Sequence, residues 1–301
     1  MQLNRPDKLN ALDMKMFRAI ADAARSLSKD ESVRAIILSG KGKSFCAGLD
    51  VASIASPFDD ESSLALPMTK VKELSKKQPR TSFKIDEKRD HGNNHDHGNG
   101  HDHEEEDASK ERMLDLNVSA VGNLAQDIAY LWRDIPVPVI AVLNGMCYGG
   151  GLQLALGADI RYAAHDCKLS VMEAKWGLIP DMSASITLRE LVRMDVAKEL
   201  TFTGRIVDGA EAERLGLVTR CCEDPMEEAM KWAEMVVERS PDAIAGAKTL
   251  YQRTWVSSEQ ECLELETEIQ QRLIMSWNQM AASTKNFSVN VPYKKRQDFD
   301  D

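Results

Sequence analysis

Two carboxylates, Glu173 and Asp181, stand eight residues apart in the run Glu173-Ala-Lys-Trp-Gly-Leu-Ile-Pro-Asp181. A pair of this kind can divide proton work between a base and an acid. Upstream lie two glycine-containing turns, Ser44-Phe-Cys-Ala-Gly-Leu-Asp50 and Asn144-Gly-Met-Cys-Tyr-Gly-Gly-Gly151, each following an apolar run. Small residues let a ligand approach the backbone, and a helix start offers unpaired N–H groups that favour an oxygen gaining negative charge. One N–H from each turn can therefore hold a carbonyl oxygen as it becomes an enolate oxygen.

Other chemistries find less support. Gly42-Lys43-Ser44 resembles the end of a phosphate-binding loop, but Ile37 stands five residues before Gly42, where that motif requires glycine. The triplet Gly149–Gly151 lacks the spacing of a dinucleotide fingerprint. Five of the six histidines fall in Asp90–Asp107, which also holds seven acids and neither Lys nor Arg. Imidazoles beside carboxylates can ligate metals, but these sit among Gly and Asn without a packed scaffold, so the tract is read as a solvated loop and no metal site is assigned. His165, the remaining imidazole, is read as an exposed loop residue, which leaves little for a Ser-His-Asp or Cys-His scheme.

The reactive positions need elements to hold them. Asp13 is a plausible cap for a helix carrying Phe17, Ile20, Ala24 and Leu27 at helical spacing. Val33–Ser39 reads as a buried strand ending at Gly40, and Leu124, Ile128, Leu131, Trp132 and Ile135 mark a helix that stops before Pro136 and Pro138. Val139–Leu143 is a second buried strand, and the glycine triplet opens a helix. Asp159–Ala163 and Leu217–Cys221 supply further strands, and alternation of this kind predicts an α/β fold with mostly parallel pairing. After Asp224 the pattern is helical alone, with stretches beginning at Pro225 and around Ala243–Trp255 and Glu259–Trp277.

Composition sets the outer limits. The chain has 301 residues and a formal charge of −10, and removing Asp90–Asp107 leaves about −3. The acidic balance argues against a nucleic-acid partner, and no apolar run approaches the roughly 20 residues of a membrane helix. Six cysteines without a C-x-x-C motif read as thiols of a reducing compartment. The polar stretch from about 56 to 112 is expected to be a disordered insertion. It divides a core of residues 1–222, with residues 223–301 forming a C-terminal helical region and tail.

Taken together, Asn4-Arg-Pro-Asp-Lys-Leu-Asn-Ala-Leu12, Phe45-Cys-Ala-Gly-Leu-Asp50, Pro138 through Gly151, Ala158-Asp159 and Glu173 through Pro180 resemble the crotonase (enoyl-CoA hydratase/isomerase) superfamily over nearly the whole chain. The resemblance implies a spiral of ββα units, a C-terminal helical region used in trimerisation, as a homotrimer or dimer of trimers, and acyl-CoA thioester substrates of fatty-acid β-oxidation. It implies that the N–H groups of Leu49 and Gly150 form the oxyanion hole. The family's opening strand pair would precede Asn4, so the compartment, mitochondrial and peroxisomal included, is left open for an intracellular, soluble protein.

Family hydratases use two glutamates. Glu173 matches one of them, whereas the other falls on Gln153. An amide can orient water or substrate but cannot exchange a proton at neutral pH. Asp181 matches the position of a catalytic aspartate in the family's dienoyl-CoA isomerases, although those also carry an acid where this chain has Gln153. The leading expectation is therefore a 3-enoyl- or 3,5-dienoyl-CoA isomerase with Glu173 as base, Asp181 as second proton carrier and Gln153 orienting substrate. An enoyl-CoA hydratase and a weakly active acyl-CoA-binding protein are the alternatives. No metal, nicotinamide or flavin cofactor is needed for any of these. Lys8, Lys41 and Lys43 lie near the turns expected to meet the CoA phosphates, a solvated basic surface being the other reading for each.

Overall fold

The computed structural model describes residues 1–51, 122–285 and 287–299. The chain divides into two units, Met1–Asp50 with Leu116–Asp301, and Val51–Asp115. The insertion expected at 56–112 lies outside the described residues, and so does its histidine tract.

In chain order the first unit runs β1 (Gln2–Leu3), α1 (Met14–Lys29), β2 (Ile36–Gly40), α2 (Leu124–Asp134), β3 (Val139–Leu143), β4 (Met146–Tyr148), α3 (Gly150–Leu156), β5 (Ile160–Ala164) and β6 (Lys168–Ser170). It continues with α4 (Ala184–Leu191), α5 (Met194–Thr203), β7 (Val207–Asp208), α6 (Gly209–Leu215), β8 (Arg220–Cys222), α7 (Pro225–Val237), α8 (Pro241–Thr254), α9 (Glu259–Leu273) and α10 (Trp277–Lys285). Short 3₁₀ turns occupy Pro6–Lys8 and Glu173–Trp176. One sheet has the order β1-β2-β3-β5-β8 with every pair parallel. A second, β4-β6-β7, is parallel between β4 and β6 and antiparallel between β6 and β7.

β3 shows why the pattern gives this architecture. All five of its residues are buried. Alternate side chains go to opposite faces of a strand. Val139, Ala141 and Leu143 join the cluster containing Phe17 and Ile20 of α1 and Ile128 and Trp132 of α2. Ile140 and Val142 meet Ala229 and Trp232 of α7. A strand covered on both faces must be apolar throughout, as parallel sheets require. Asp13 caps α1 by accepting from the Met16 N–H at 2.9 Å, as its position suggested. Asn123 and Gln126 close a reciprocal capping box on α2.

Three expectations are corrected. The last strand of the large sheet begins at Arg220, not Leu217: Leu217 and Val218 close α6 instead, their N–H groups donating to Ala212 O. They are buried because they seal a helix end, which is why they read as strand. The stretch Glu259–Trp277 breaks into α9 and α10, with Met275 between them at φ 63°. Finally, the strand expected over Val33–Ser39 runs Ile36–Gly40. Among the described residues, no helix is long and apolar enough to cross a membrane.

Candidate active site

The two glycine turns meet because backbone groups stitch them together. Asn10, fully buried at φ 56°, donates from Nδ2 to Lys41 O (3.1 Å) and Ser44 O (2.8 Å), and its Oδ1 accepts from the Arg5 N–H at 2.8 Å. The Phe45 N–H donates to Asn144 O at 2.8 Å, and the backbone of Cys46, whose thiol is free, forms a parallel β-bridge with Cys147 of β4. At Gly145 (φ 56°) a Cβ would lie 1.9 Å from Lys43 O, and at Gly151 one would lie 2.6 Å from Cys46 Cβ. No larger residue fits either approach without moving the neighbouring turn.

Two N–H groups of these turns, those of Leu49 and Gly150, take no part in this stitching among the described residues. Leu12 donates to Gly48 O at 2.7 Å and accepts from the Asp50 N–H at 2.9 Å. In a parallel bridge of that form, Leu49 presents its own N–H away from Leu12. Gly150 opens α3, where the first N–H groups have no partner within the helix. Arg5 adds a clamp, reaching Asp50 at 2.7 Å and Asp13 at 3.4 Å.

The acids come from the segment after β6. Glu173 is 9% exposed and starts a 3₁₀ turn. Its Oε1 accepts from Gln153 Nε2 at 2.6 Å, and Gln153 Oε1 accepts from the Met182 N–H at 2.8 Å. Its Oε2 is buried and has no hydrogen-bond partner among the described residues. Burial pushes the Glu173 carboxyl above the ordinary range; hydrogen bonds, including that from Gln153, oppose the rise, and the charge of Asp181 adds to it. Asp181 is accessible, yet the protein around it also pushes its carboxyl up, through desolvation. It lines a cleft of about 350 Å³ with Ile179, Ser183 and Ile186, facing Gln126 and Tyr130 of α2. Asp181 does not cap α4, whose N-cap is Ser183.

The structure thus brings Glu173, Gln153 and the Asp181 loop together, and Leu49 and Gly150 onto adjoining turns. Gln153, expected to orient substrate, has both ends of its amide bonded within the protein. Lys8, Lys41 and Lys43 are exposed, with no ion pair among the described residues, Lys41 and Lys43 flanking Gly42 on the stitched turn. His165 is exposed as expected, its Nδ1 lying 3.1 Å from Cys221 Sγ. Two contributors had no role assigned from sequence. Asn10 was signalled only by being a polar residue amid Leu9, Ala11 and Leu12; Met182 acts through its backbone, which leaves no side-chain signal.

Comparison with known proteins places the whole chain. A family model described as Enoyl-CoA hydratase/isomerase matches residues 100–288, and a second of the same description matches residues 1–83. The chain is 27% identical to the peroxisomal Delta(3,5)-Delta(2,4)-dienoyl-CoA isomerase of Arabidopsis thaliana, covering 98% of this chain and 89% of that one. It is 26% identical to enoyl-CoA hydratase EchA19 of Mycobacterium tuberculosis, covering 91% and 84%. The fold is that of the Bacillus anthracis enoyl-CoA hydratase crystal structure, with a TM-score of 0.72 at 22% identity, covering 98% of this chain and 93% of that one. By these matches and its α/β architecture, the chain belongs to the enoyl-CoA hydratase/isomerase family of the crotonase superfamily, with a dienoyl-CoA isomerase-like relationship.

Proposed function

We propose that this enzyme is an acyl-CoA double-bond isomerase acting on 3-enoyl- or 3,5-dienoyl-CoA. The observation that carries the reading is the single reactive carboxylate oxygen: Glu173 Oε2 is buried and unpartnered among the described residues, while position 153 is a neutral amide. Glu173 removes the proton of the carbon next to the thioester carbonyl, and the electron pair moves into a conjugated enolate. The N–H groups of Leu49 and Gly150 hold the enolate oxygen as its charge develops. Return of a proton to a different carbon, from Glu173 or Asp181, collapses the enolate and moves the double bond. One proton leaves and one arrives, so the step is redox-neutral, and the two N–H groups supply the stabilisation of the enolate oxygen.

Other parts of the reading rest on surface features. Lys8, Lys41 and Lys43 offer cationic contacts for the CoA phosphates at the turn that carries the oxyanion N–H. Exposed Trp255, Leu263, Ile274 and Met275 on and after the C-terminal helices support self-association as a homotrimer or dimer of trimers. The peroxisomal isomerase among its relatives supports a place in fatty-acid β-oxidation.

A spectrophotometric panel of trans-2-enoyl-, 3-enoyl- and 3,5-dienoyl-CoA tests the assignment. Isomerisation of the 3-enoyl or dienoyl substrates that disappears in Glu173→Gln is expected. Efficient hydration of the 2-enoyl substrate with no isomerisation would make the enzyme a hydratase instead. Tight binding with no turnover would make it an acyl-CoA-binding protein.

A further inference from the structure

Gln153 is 2% exposed and sits in α3, one turn beyond Gly150. Its two hydrogen bonds fix which way the amide faces. The Met182 N–H can only donate, so the Gln153 oxygen must face it, and the NH₂ group is left for Glu173. The bond to Glu173 Oε1 holds that oxygen as an acceptor, so an arriving proton resides on Oε2, the atom that lacks a partner among the described residues. Met182 directly follows Asp181 in the chain. One amide therefore touches Glu173 and the residue next to Asp181.

We propose that Gln153 is the positioning residue of the acid pair, holding Glu173 through Oε1 and the Asp181 loop through the Met182 N–H, and that it acts on the reaction through these groups and not on the substrate. The proposal rests on Glu173 being the base. Its physical content is preorganisation: a base held in one rotamer meets its proton in a fixed geometry, and a displacement of about 1 Å costs on the order of 100-fold in rate.

Two variants of the full chain test it. Gln153→Met keeps the side-chain length and deletes both hydrogen bonds. Gln153→Glu keeps an acceptor for the Met182 N–H but sets a second carboxyl against Glu173, and two carboxyls so close cannot both ionise freely. The first readout needs no substrate: a ¹³C-carboxyl titration of glutamate-labelled protein, with Glu173 assigned by its loss in Glu173→Gln. In Gln153→Met the Glu173 titration is expected to move up by about one pH unit, because a hydrogen bond to the ionised form is gone. In Gln153→Glu it is expected to become a two-step titration of a coupled pair.

The second readout is isomerisation of 3-enoyl-CoA across the pH range. For Gln153→Met, kcat is expected to fall about 10- to 100-fold with KM within about twofold, and the acid limb of the profile to move up with the titration. An unmoved Glu173 titration in both variants overturns the proposal. So does a loss confined to KM with the pH profile unchanged, the signature of a residue that binds substrate. If Gln153→Met does not fold, Gln153→Glu carries the same decision. Failure of the isomerase reading appears differently, as no turnover by wild type while the titrations still shift.

Discussion

The glycine turns, where we place the oxyanion hole, and the acid side of this site are built by different means. The turns are held mostly by main-chain contacts, with Phe45 on Asn144, a parallel β-bridge between Cys46 and Cys147 and glycines pressed against neighbouring chain, and by one side-chain amide, Asn10, on two carbonyls. The acid side is held by side chains, above all one glutamine amide. Buried side-chain polar atoms found without partners among the described residues are Glu173 Oε2, Ser183 Oγ and Thr187 Oγ1, all from the segment 173–187. Such atoms are uncommon in folded proteins. Their concentration here shows where the fold has left polar capacity unused. In the proposed roles, the groups that would receive charge are tied down by main-chain contacts, while the carboxylate that would move protons is kept short of partners among the described residues.

The sharpest way to break this contrast is Glu173→Gln, which is isosteric and retains an oxygen for Gln153. A loss of 10²- to 10⁴-fold in kcat is expected, measured by isomerisation of 3-enoyl-CoA. The pH dependence follows from the sign of the shift. Glu173 must be ionised to act as base, and burial raises its carboxyl, so kcat/KM falls as pH drops through a value above that of an ordinary glutamate. Stability runs the other way. A folded-state carboxyl raised above its unfolded value contributes stability below the unfolded value and loses it as pH rises through the folded one. Thermal melts of wild type are therefore expected to lose stability over that interval, and Glu173→Gln to flatten the loss. An activity profile with no limb above the ordinary glutamate range would remove Glu173 from the role of base.

On the oxyanion side the corresponding break is Asn10→Ala. It strands the Arg5 N–H and the Lys41 and Ser44 carbonyls, and it places alanine at φ 56°. A destabilisation of about 2 to 4 kcal/mol in urea titration is expected. Activity should fall while the acid limb keeps its position, since the acid pair is untouched. A shifted limb would show that the two sides are not independent.

Asp181→Asn gives a smaller effect. Its carboxyl lines an accessible cleft, where water can substitute as a proton carrier, so a fall of about 10- to 100-fold in kcat is expected with KM little changed. Removing its charge also withdraws one of the influences that raise Glu173, so the acid limb should move down slightly. A limb that moves up would mean that Asp181 supports the ionised form of Glu173 by some route other than charge.

How much of this was legible in the sequence follows from the same contrast. Both glycine turns, the acid pair and the α/β alternation could be read from residue types, since close approach demands glycine and a doubly covered strand demands an apolar run such as Val139–Leu143. Leu217 and Val218 misled because a buried helix end and a buried strand have the same local composition, and only the Ala212 carbonyl distinguishes them. The partners of Gln153 were hidden for another reason. One is a backbone N–H, which no residue type announces, and the other lies twenty residues away along the chain.

The lysines set the lower end of the scale. Lys8, Lys41 and Lys43 are exposed, so the contact with a CoA phosphate proposed for each would act through water and contribute little by itself. Replacing Lys41 and Lys43 together with alanine is expected to raise KM about two- to fivefold at low salt and leave kcat unchanged, because the phosphates lie far from the reacting carbons. Near 1 M salt the screening length falls to about 3 Å, and the difference from wild type should vanish. The turn between them is fixed by its carbonyls, not by these side chains: Lys41 O meets Asn10, and Lys43 O lies against Gly145. The double variant therefore tests charge without disturbing the oxyanion geometry, and a salt-independent KM equal to that of wild type would leave both lysines as solvated surface.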